Sequence, residues 1–354
     1  MSEVNFDKIF EIFKKENDNI QSFGKTLGKG AYGEVRDAKL KNSNKPMAAK
    51  LIMKKKDDEA GEIFYAKILR GENIVKVNLT EEKEIEKNKY ELTIMEKSLL
   101  NNLEIISKFY HHPDCRILKL IVKEPFEENA SNNLLRYYTK QIVNGLETLE
   151  RNYFVHFDIK PDNLLVSLNL EIKLSDFSLL KKVKEQKELV LPGGTQGFSS
   201  PEYYLDKKFS KEDARKQDYF ALGSTLFFLK YGTHMLKFNK CNESNSTNSD
   251  IIKDILEKKI AYIKCNQFSE QDFIDFLSSL IEYDPEDRPS FEQIYRNKWL
   301  NQNSKILREI MNANNMDAEK ALMELQKSDF LIKKEKESIK KKEKKFKFKK
   351  WKMK

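Results

Sequence analysis

His156-Phe157-Asp158-Ile159-Lys160-Pro161-Asp162-Asn163-Leu164-Leu165-Val166 is the stretch on which the reading of this chain turns. Its first eight residues hold a carboxylate, a cation and an amide, and they run directly into a short apolar strand. Charged clusters in loops are usually only solvated. Here, however, the polar groups are interleaved with Phe157 and Ile159 and followed by an apolar run, which ties them to a buried layer. Thirteen residues beyond Asn163 stands Asp176, in Leu174-Ser175-Asp176-Phe177-Ser178, at the end of a second apolar strand. An acceptor for a hydroxyl proton, a cation for developing charge and oxygen ligands for a hard metal are what phosphoryl transfer requires.

Upstream lies Gly28-Lys29-Gly30-Ala31-Tyr32-Gly33-Glu34-Val35, of the form G-x-G-x-x-G-x-V. Glycines let a backbone turn approach phosphates with its N–H groups pointing inward. Alone the pattern is weak. A dinucleotide fingerprint requires a helix after the glycines, and the residues that follow, Glu34 to Lys41, alternate like a strand. In Met47-Ala48-Ala49-Lys50-Leu51-Ile52 a short apolar strand carries one lysine, 17 residues after Gly33. An isolated strand lysine usually snorkels to solvent. Beside a glycine-rich turn it can instead hold a phosphate as a point charge, given an acidic partner such as Glu62 on the helix that follows.

Taken together and in this order, these segments resemble the eukaryotic protein kinase superfamily, serine/threonine type, over about residues 20–300. The resemblance implies an α+β, two-lobed protein kinase fold with a β-rich N-lobe (20–97) and a mostly helical C-lobe (98–300). It implies ATP and Mg²⁺ as cofactors and protein substrates with Ser or Thr acceptors. Gly28, Gly30 and Gly33 would cover the phosphates, and Lys50 would hold them, paired with Glu62 or, as a fallback, Glu59. Val35 and Ala48 would sandwich adenine, Met95 would be the gatekeeper, and Glu96 to Ser98 the hinge. Asp158 resembles the catalytic base and Lys160 the γ-phosphate contact, while Asn163 and Asp176 resemble the metal ligands. Ser200-Pro201-Glu202 resembles the end of the activation segment, with Glu202 pairing Arg288; Asp218 and Gly223 would support the catalytic loop. Lys160 and Thr195 match the serine/threonine class.

The chain departs from the family pattern twice. Phe157 stands where an arginine commonly precedes the catalytic aspartate, and Ser178 where the metal-binding motif ends in glycine. That arginine typically gathers an activation-loop phosphate, and no Ser, Thr or Tyr lies between Ser178 and Thr195. Activity independent of phosphorylation in that stretch is therefore expected. At Ser178 a positive φ would cost about 1 kcal/mol. The changes keep a second reading open, a pseudokinase scaffold without turnover; retention of Lys50, Asp158, Asn163 and Asp176 argues against it. A small-molecule kinase is disfavoured by Ser200-Pro201-Glu202, Asp218 and Arg288.

Composition agrees with a folded chain. The 354 residues are 39% hydrophobic, 11% aromatic and 34% charged, enough apolar material for a sizeable core. Cys115, Cys241 and Cys265 share no close spacing, which excludes a disulfide scaffold and a CxxC metal site. The adjacent His111 and His112 have no ligand set around them and read as surface residues at Pro113. The longest nearly apolar stretch, Tyr219 to Leu229, falls short of the ~18 residues of a membrane span, and no secretory leader is expected. The cytoplasm is the expected compartment, with the nucleus as an alternative.

The charge is concentrated at one end. Residues 333–354 hold 13 lysines and 3 glutamates, a net +10, against +9 for the whole chain, so residues 1–332 sum to −1. This tail, ending in Phe346, Phe348 and Trp351 among lysines, is expected to be disordered. Contact with an anionic membrane or with nucleic acid, or an import signal, are its alternative uses. Before it, residues 301–332 are expected to form a helical extension. At the other end, residues 1–19 hold an amphipathic helix, with Phe6, Ile9, Phe10 and Phe13 at i, i+3, i+4, i+7. Helices are also expected over 57–69, 134–151, 214–229, 251–262, 268–282 and 291–300, with a polar loop over 241–250.

Overall fold

The computed structural model describes residues 4–30, 33–54, 68–98, 130–167, 171–183, 192–205, 210–236, 245–265 and 270–302. Helix α1 (Phe6–Glu16) opens the chain, its N-terminus capped by the Asn5 side chain accepting from the Lys8 amide. Asp7 in the first turn and Lys14 and Lys15 in the last complement the helix dipole. Five strands follow: β1 (Ile20–Lys29), β2 (Gly33–Leu40), β3 (Met47–Met53), β4 (Val77–Ile85) and β5 (Asn88–Glu96). They form one antiparallel sheet in the order β1-β2-β3-β5-β4.

The alternation of a strand decides what each face of this sheet does. On β3, Met47, Ala49 and Leu51 turn to one side and pack with Leu92, Ile94 and the buried stripe of α1, Phe6, Ile9, Phe10 and Phe13. Ala48 and Lys50 turn to the other side, toward the second lobe. The N-terminal helix is thus part of the first lobe's core.

Among the described residues, the second lobe opens with α2 (Ala130–Arg151), whose Leu135, Ile142, Val143, Leu146 and Leu149 are buried. Short strands β6 (Phe154–Val155), β7 (Leu164–Val166), β8 (Ile172–Leu174) and β9 (Lys181–Lys182) pair as β6–β9 and β7–β8. Helices α3 (Pro201–Tyr204), α4 (Lys211–Tyr231), α5 (Asn245–Cys265), α6 (Gln271–Leu280) and α7 (Phe291–Tyr295) complete it. The centre is α4, capped by Ser210 and ended by Gly232 at φ 70°, the left-handed geometry glycine takes at no steric cost. The lobes are stitched by backbone bonds from Val75 N to Leu174 O (2.9 Å) and Leu174 N to Asn73 O (2.8 Å). These bonds bring β8, and with it the segment carrying Asp176, under the sheet.

Some expected boundaries move. Helix α5 starts at Asn245, inside the polar run expected to be a loop, because burial of Ile252, Leu256 and Ile263 outweighs the poor helix propensity of Asn and Ser. Helix α7 stops at Tyr295, and Asn297 caps the following turn by accepting from the Trp299 amide at 2.9 Å. The helix expected over 57–69, apart from its last two residues, the 301–332 extension beyond Gln302, His111, His112 and the basic tail lie outside the described residues.

Candidate active site

Between the lobes lies a cavity of about 240 Å³. Val35 on β2, Ala48 on β3, Val77 on β4 and Met95 on β5 form its roof, and Leu165 on β7 its floor. Glu96, Lys97 and Ser98 close one end; Lys50, Asn163 and Asp176 stand at the other. A flat apolar body thus fits beside the 96–98 segment, and charged groups meet whatever extends from it. Leu27, Val75 and Thr93 also line the cavity and had no motif to reveal them; Leu165, in the decisive stretch, is turned to it by alternation between the buried Leu164 and Val166.

Of the glycine-rich segment, Gly28 lines the cavity. Gly30 N donates to Gly33 O at 2.9 Å. Gly33 is required by close packing, since a Cβ there would sit 2.6 Å from Leu51 O and 2.8 Å from Ile52 Cγ2. At Gly28 a Cβ would meet nothing within 4 Å, so that position faces open space.

The sequence Asp158 to Asn163 folds into a tight cluster. Lys160 Nζ donates to Asp158 Oδ2 at 2.6 Å, and Thr195 Oγ1 donates to Asp158 Oδ1 at 2.6 Å. Thr195 also accepts from Lys160 Nζ at 2.6 Å, closing a three-membered ring. Asn163 gives its NH₂ to Asp158 O (2.8 Å) and Oδ2 (3.0 Å). Across the cleft Lys50 Nζ lies 2.7 Å from Asp176 Oδ1, which brings together two residues 126 positions apart. Glu62 and Glu59 lie outside the described residues.

Buried groups hold this cluster in place. Asp218 on α4 accepts from the backbone amides of His156 (2.7 Å) and Phe157 (2.8 Å), and His156 Nε2 meets Ser175 O at 3.0 Å. Complete burial pushes the Asp218 carboxyl up to about 7, only partly opposed by those two amides. Burial likewise pushes the His156 imidazole down. At Asp176 burial acts to raise the carboxyl, but the Lys50 charge and hydrogen bonds from Lys50 and Ser178 prevail and hold it at about 2. Asp176 is therefore ionised at neutral pH. Glu202 and Arg288, 86 residues apart, form a buried pair at 2.7 Å.

Residues 22–300 match the family model described as the protein kinase domain. The chain belongs to that family. Among its relatives, human serine/threonine-protein kinase MRCK alpha is 30% identical over 213 residues, covering 59% of this chain and 11% of that protein. Aurora kinase of Schizosaccharomyces pombe is 27% identical over 287 residues, 78% of this chain and 70% of that protein. Rhodopsin kinase GRK1 of Rattus norvegicus is 29% identical over 280 residues, 75% and 44% respectively. The chain therefore spans a small part of MRCK alpha and less than half of GRK1.

Against this kinase frame the two departures take physical form. Ser178 lies in a 3₁₀ turn (Phe177–Leu179) and does not have positive φ; the left-handed residue is Asp176, at φ 61°. The positive φ that would have cost energy at the serine is not adopted, and Ser178 helps hold the Asp176 carboxyl low. Phe157 is buried in a cluster of its own with Val155, Val183 and Ala214, with Leu179 against it. An apolar side chain here packs directly against Leu179 and Val183, just beyond Asp176.

Proposed function

We propose that this kinase-family chain transfers the γ-phosphoryl group of MgATP to serine or threonine hydroxyls of proteins. The observation that carries the reading is the Asp158–Lys160–Thr195 ring beside the Lys50–Asp176 pair, at the mouth of an apolar cavity. Adenine fits between the roof of Val35 and Ala48 and the Leu165 floor, beside Met95, with the backbone of Glu96 to Ser98 as its hydrogen-bonding edge. Gly28, Gly30 and Gly33 give the turn over the phosphates, and Lys50 neutralises them, with Glu62, outside the described residues, as its proposed partner. Asp158 orients the acceptor hydroxyl and takes its proton, and Lys160 stabilises charge on the transferred group.

The donor set fits a hard divalent cation. Asp176 is an ionised carboxylate, and Asn163 commits its NH₂ to Asp158, which leaves the oxygen of the same amide for a metal. Among the described residues no cluster of three or more His, Cys, Asp or Glu is suited to a metal. Mg²⁺ takes one or two protein oxygens and completes its shell with phosphates and water. When bound, it neutralises charge on the phosphate oxygens.

Phosphate transfer from labelled MgATP to a generic basic protein tests the reading. The chain as given transfers label, and Asp176→Asn lowers the rate by at least about a hundredfold. Equal rates in the two, or no transfer by the unsubstituted chain, would discard it.

A further inference from the structure

Helix α1 takes no part in the chemistry above, yet it is joined to the glycine-rich turn through one guanidinium. On β2, Val35 points into the cavity, so Glu34 and Arg36 point to the opposite face, where α1 lies. Glu34, the residue after Gly33, is only 5% exposed. Its Oε1 accepts from Arg36 Nε at 2.6 Å and from Thr26 Oγ1 of β1 at 2.7 Å. Arg36 reaches from there to Asp7 of α1 at 2.6 Å and lies 4.5 Å over the Phe10 ring. Phe10 in turn packs on Phe23 of β1 at 4.7 Å between centroids. Both strands that carry the turn are thus held, by side chains, to one helix.

The backbone explains why such a brace matters. The β1–β2 pairing slips register on both sides of Thr26, between Phe23 and Thr26 and again between Thr26 and Gly28. The ladder is interrupted just before the turn, where a bulged strand is least constrained. The Thr26–Glu34–Arg36 bonds span that gap. Electrostatics agree: burial opposes the Glu34 charge, but bonds from Arg36 and Thr26 more than offset it, so the carboxylate stays ionised.

We infer that Arg36 is a positioning residue for the nucleotide: clamped by Asp7 and Phe10 of α1, it holds Glu34 and so sets the β1–β2 turn over the phosphates. The inference rests on the ATP reading above and goes beyond it by making the N-terminal helix part of nucleotide affinity.

The test is equilibrium binding of Mg·ADP to the full chain, together with KM for ATP and kcat. Arg36→Ala raises the dissociation constant and KM about tenfold and moves kcat by less than about twofold, because the chemical groups are untouched. Arg36→Lys keeps charge but loses the fork and falls between. Lys83→Ala is the control: Lys83 binds Glu16 of α1 at 2.6 Å, but from β4, at the opposite edge of the sheet, and its loss leaves Mg·ADP affinity unchanged. If Arg36→Ala does not fold, Arg36→Lys and Asp7→Asn carry the same comparison. An unchanged dissociation constant in the Arg36 variants overturns the brace and leaves the ATP reading standing. So does a Lys83→Ala loss as large as theirs, which would mark general stability. An unsubstituted chain that binds no Mg·ADP overturns both.

Discussion

Thr195 is the residue whose role a motif alone understates. Its hydroxyl donates to Asp158 and accepts from Lys160, each at 2.6 Å, so it fixes the geometry between proposed base and proposed cation. Behind it, Gly197 holds φ 96°, and a Cβ there would lie 2.7 Å from His234 Nδ1, so the loop after Thr195 follows one narrow path. Without the hydroxyl, only the direct Lys160–Asp158 contact remains to set the two charged groups. Thr195→Ala is expected to lower kcat by about tenfold or more, whereas Thr195→Ser stays within about threefold. Initial rates at saturating ATP check this, and equal losses in the two variants would refute a role for the hydroxyl. Ser178 teaches the reverse. Its motif position suggested backbone strain, but the left-handed geometry falls on Asp176, and short polar residues such as Asp tolerate it better than most.

At the scale of elements, the loop that carries Asp158 is fastened by apolar packing to α4 and to Val183, the residue after β9. Phe157 sits at φ 63°, a costly backbone for a bulky side chain, and two contacts maintain it. Asp218 takes its amide, and Val155, Val183 and Ala214 surround its ring. The β6–β9 pairing and the bond from Val183 N to Tyr153 O (2.8 Å) run alongside. Phe157→Ala should therefore destabilise the fold by about 3 kcal/mol through the cavity it leaves. Phosphatase treatment of the unsubstituted chain should leave its activity unchanged, because this grip needs no phosphate. Denaturant unfolding and rates before and after phosphatase measure the two. Activity that vanishes with the phosphate would show that the cluster is insufficient.

At the scale of the whole molecule, Glu202–Arg288 is a deeply buried tie. The Arg288 side chain is fully buried, and besides Glu202 it donates to the carbonyls of Glu282, Tyr283 and Lys216. It joins α3 to the loop between α6 and α7 and to the Lys216 carbonyl of α4. Removing one partner leaves a buried charge without its counter-ion. Arg288→Ala and Glu202→Ala should each cost about 3–5 kcal/mol, and the double variant clearly less than the sum. Additive losses in a double-mutant cycle of unfolding free energies would show that the pair is not coupled.

Much of this was written in local order. The glycine-rich turn, Lys50 on its strand, and Asp158 to Asn163 followed by Asp176 each stand in one short segment, where spacing and strand alternation constrain which way a side chain turns. The same holds for the Phe6–Phe13 stripe. What local pattern could not supply is any relation that depends on distance through space. It could not tell that the stripe of α1 is covered by the sheet, that Arg36 joins the two, or that Thr195 closes a ring with residues 35 and 37 positions away. Nor could it place the start of α5 among asparagines and serines. Propensity is a sum over neighbours in the chain, whereas burial and ion pairing depend on which surfaces meet, and only the folded chain decides that.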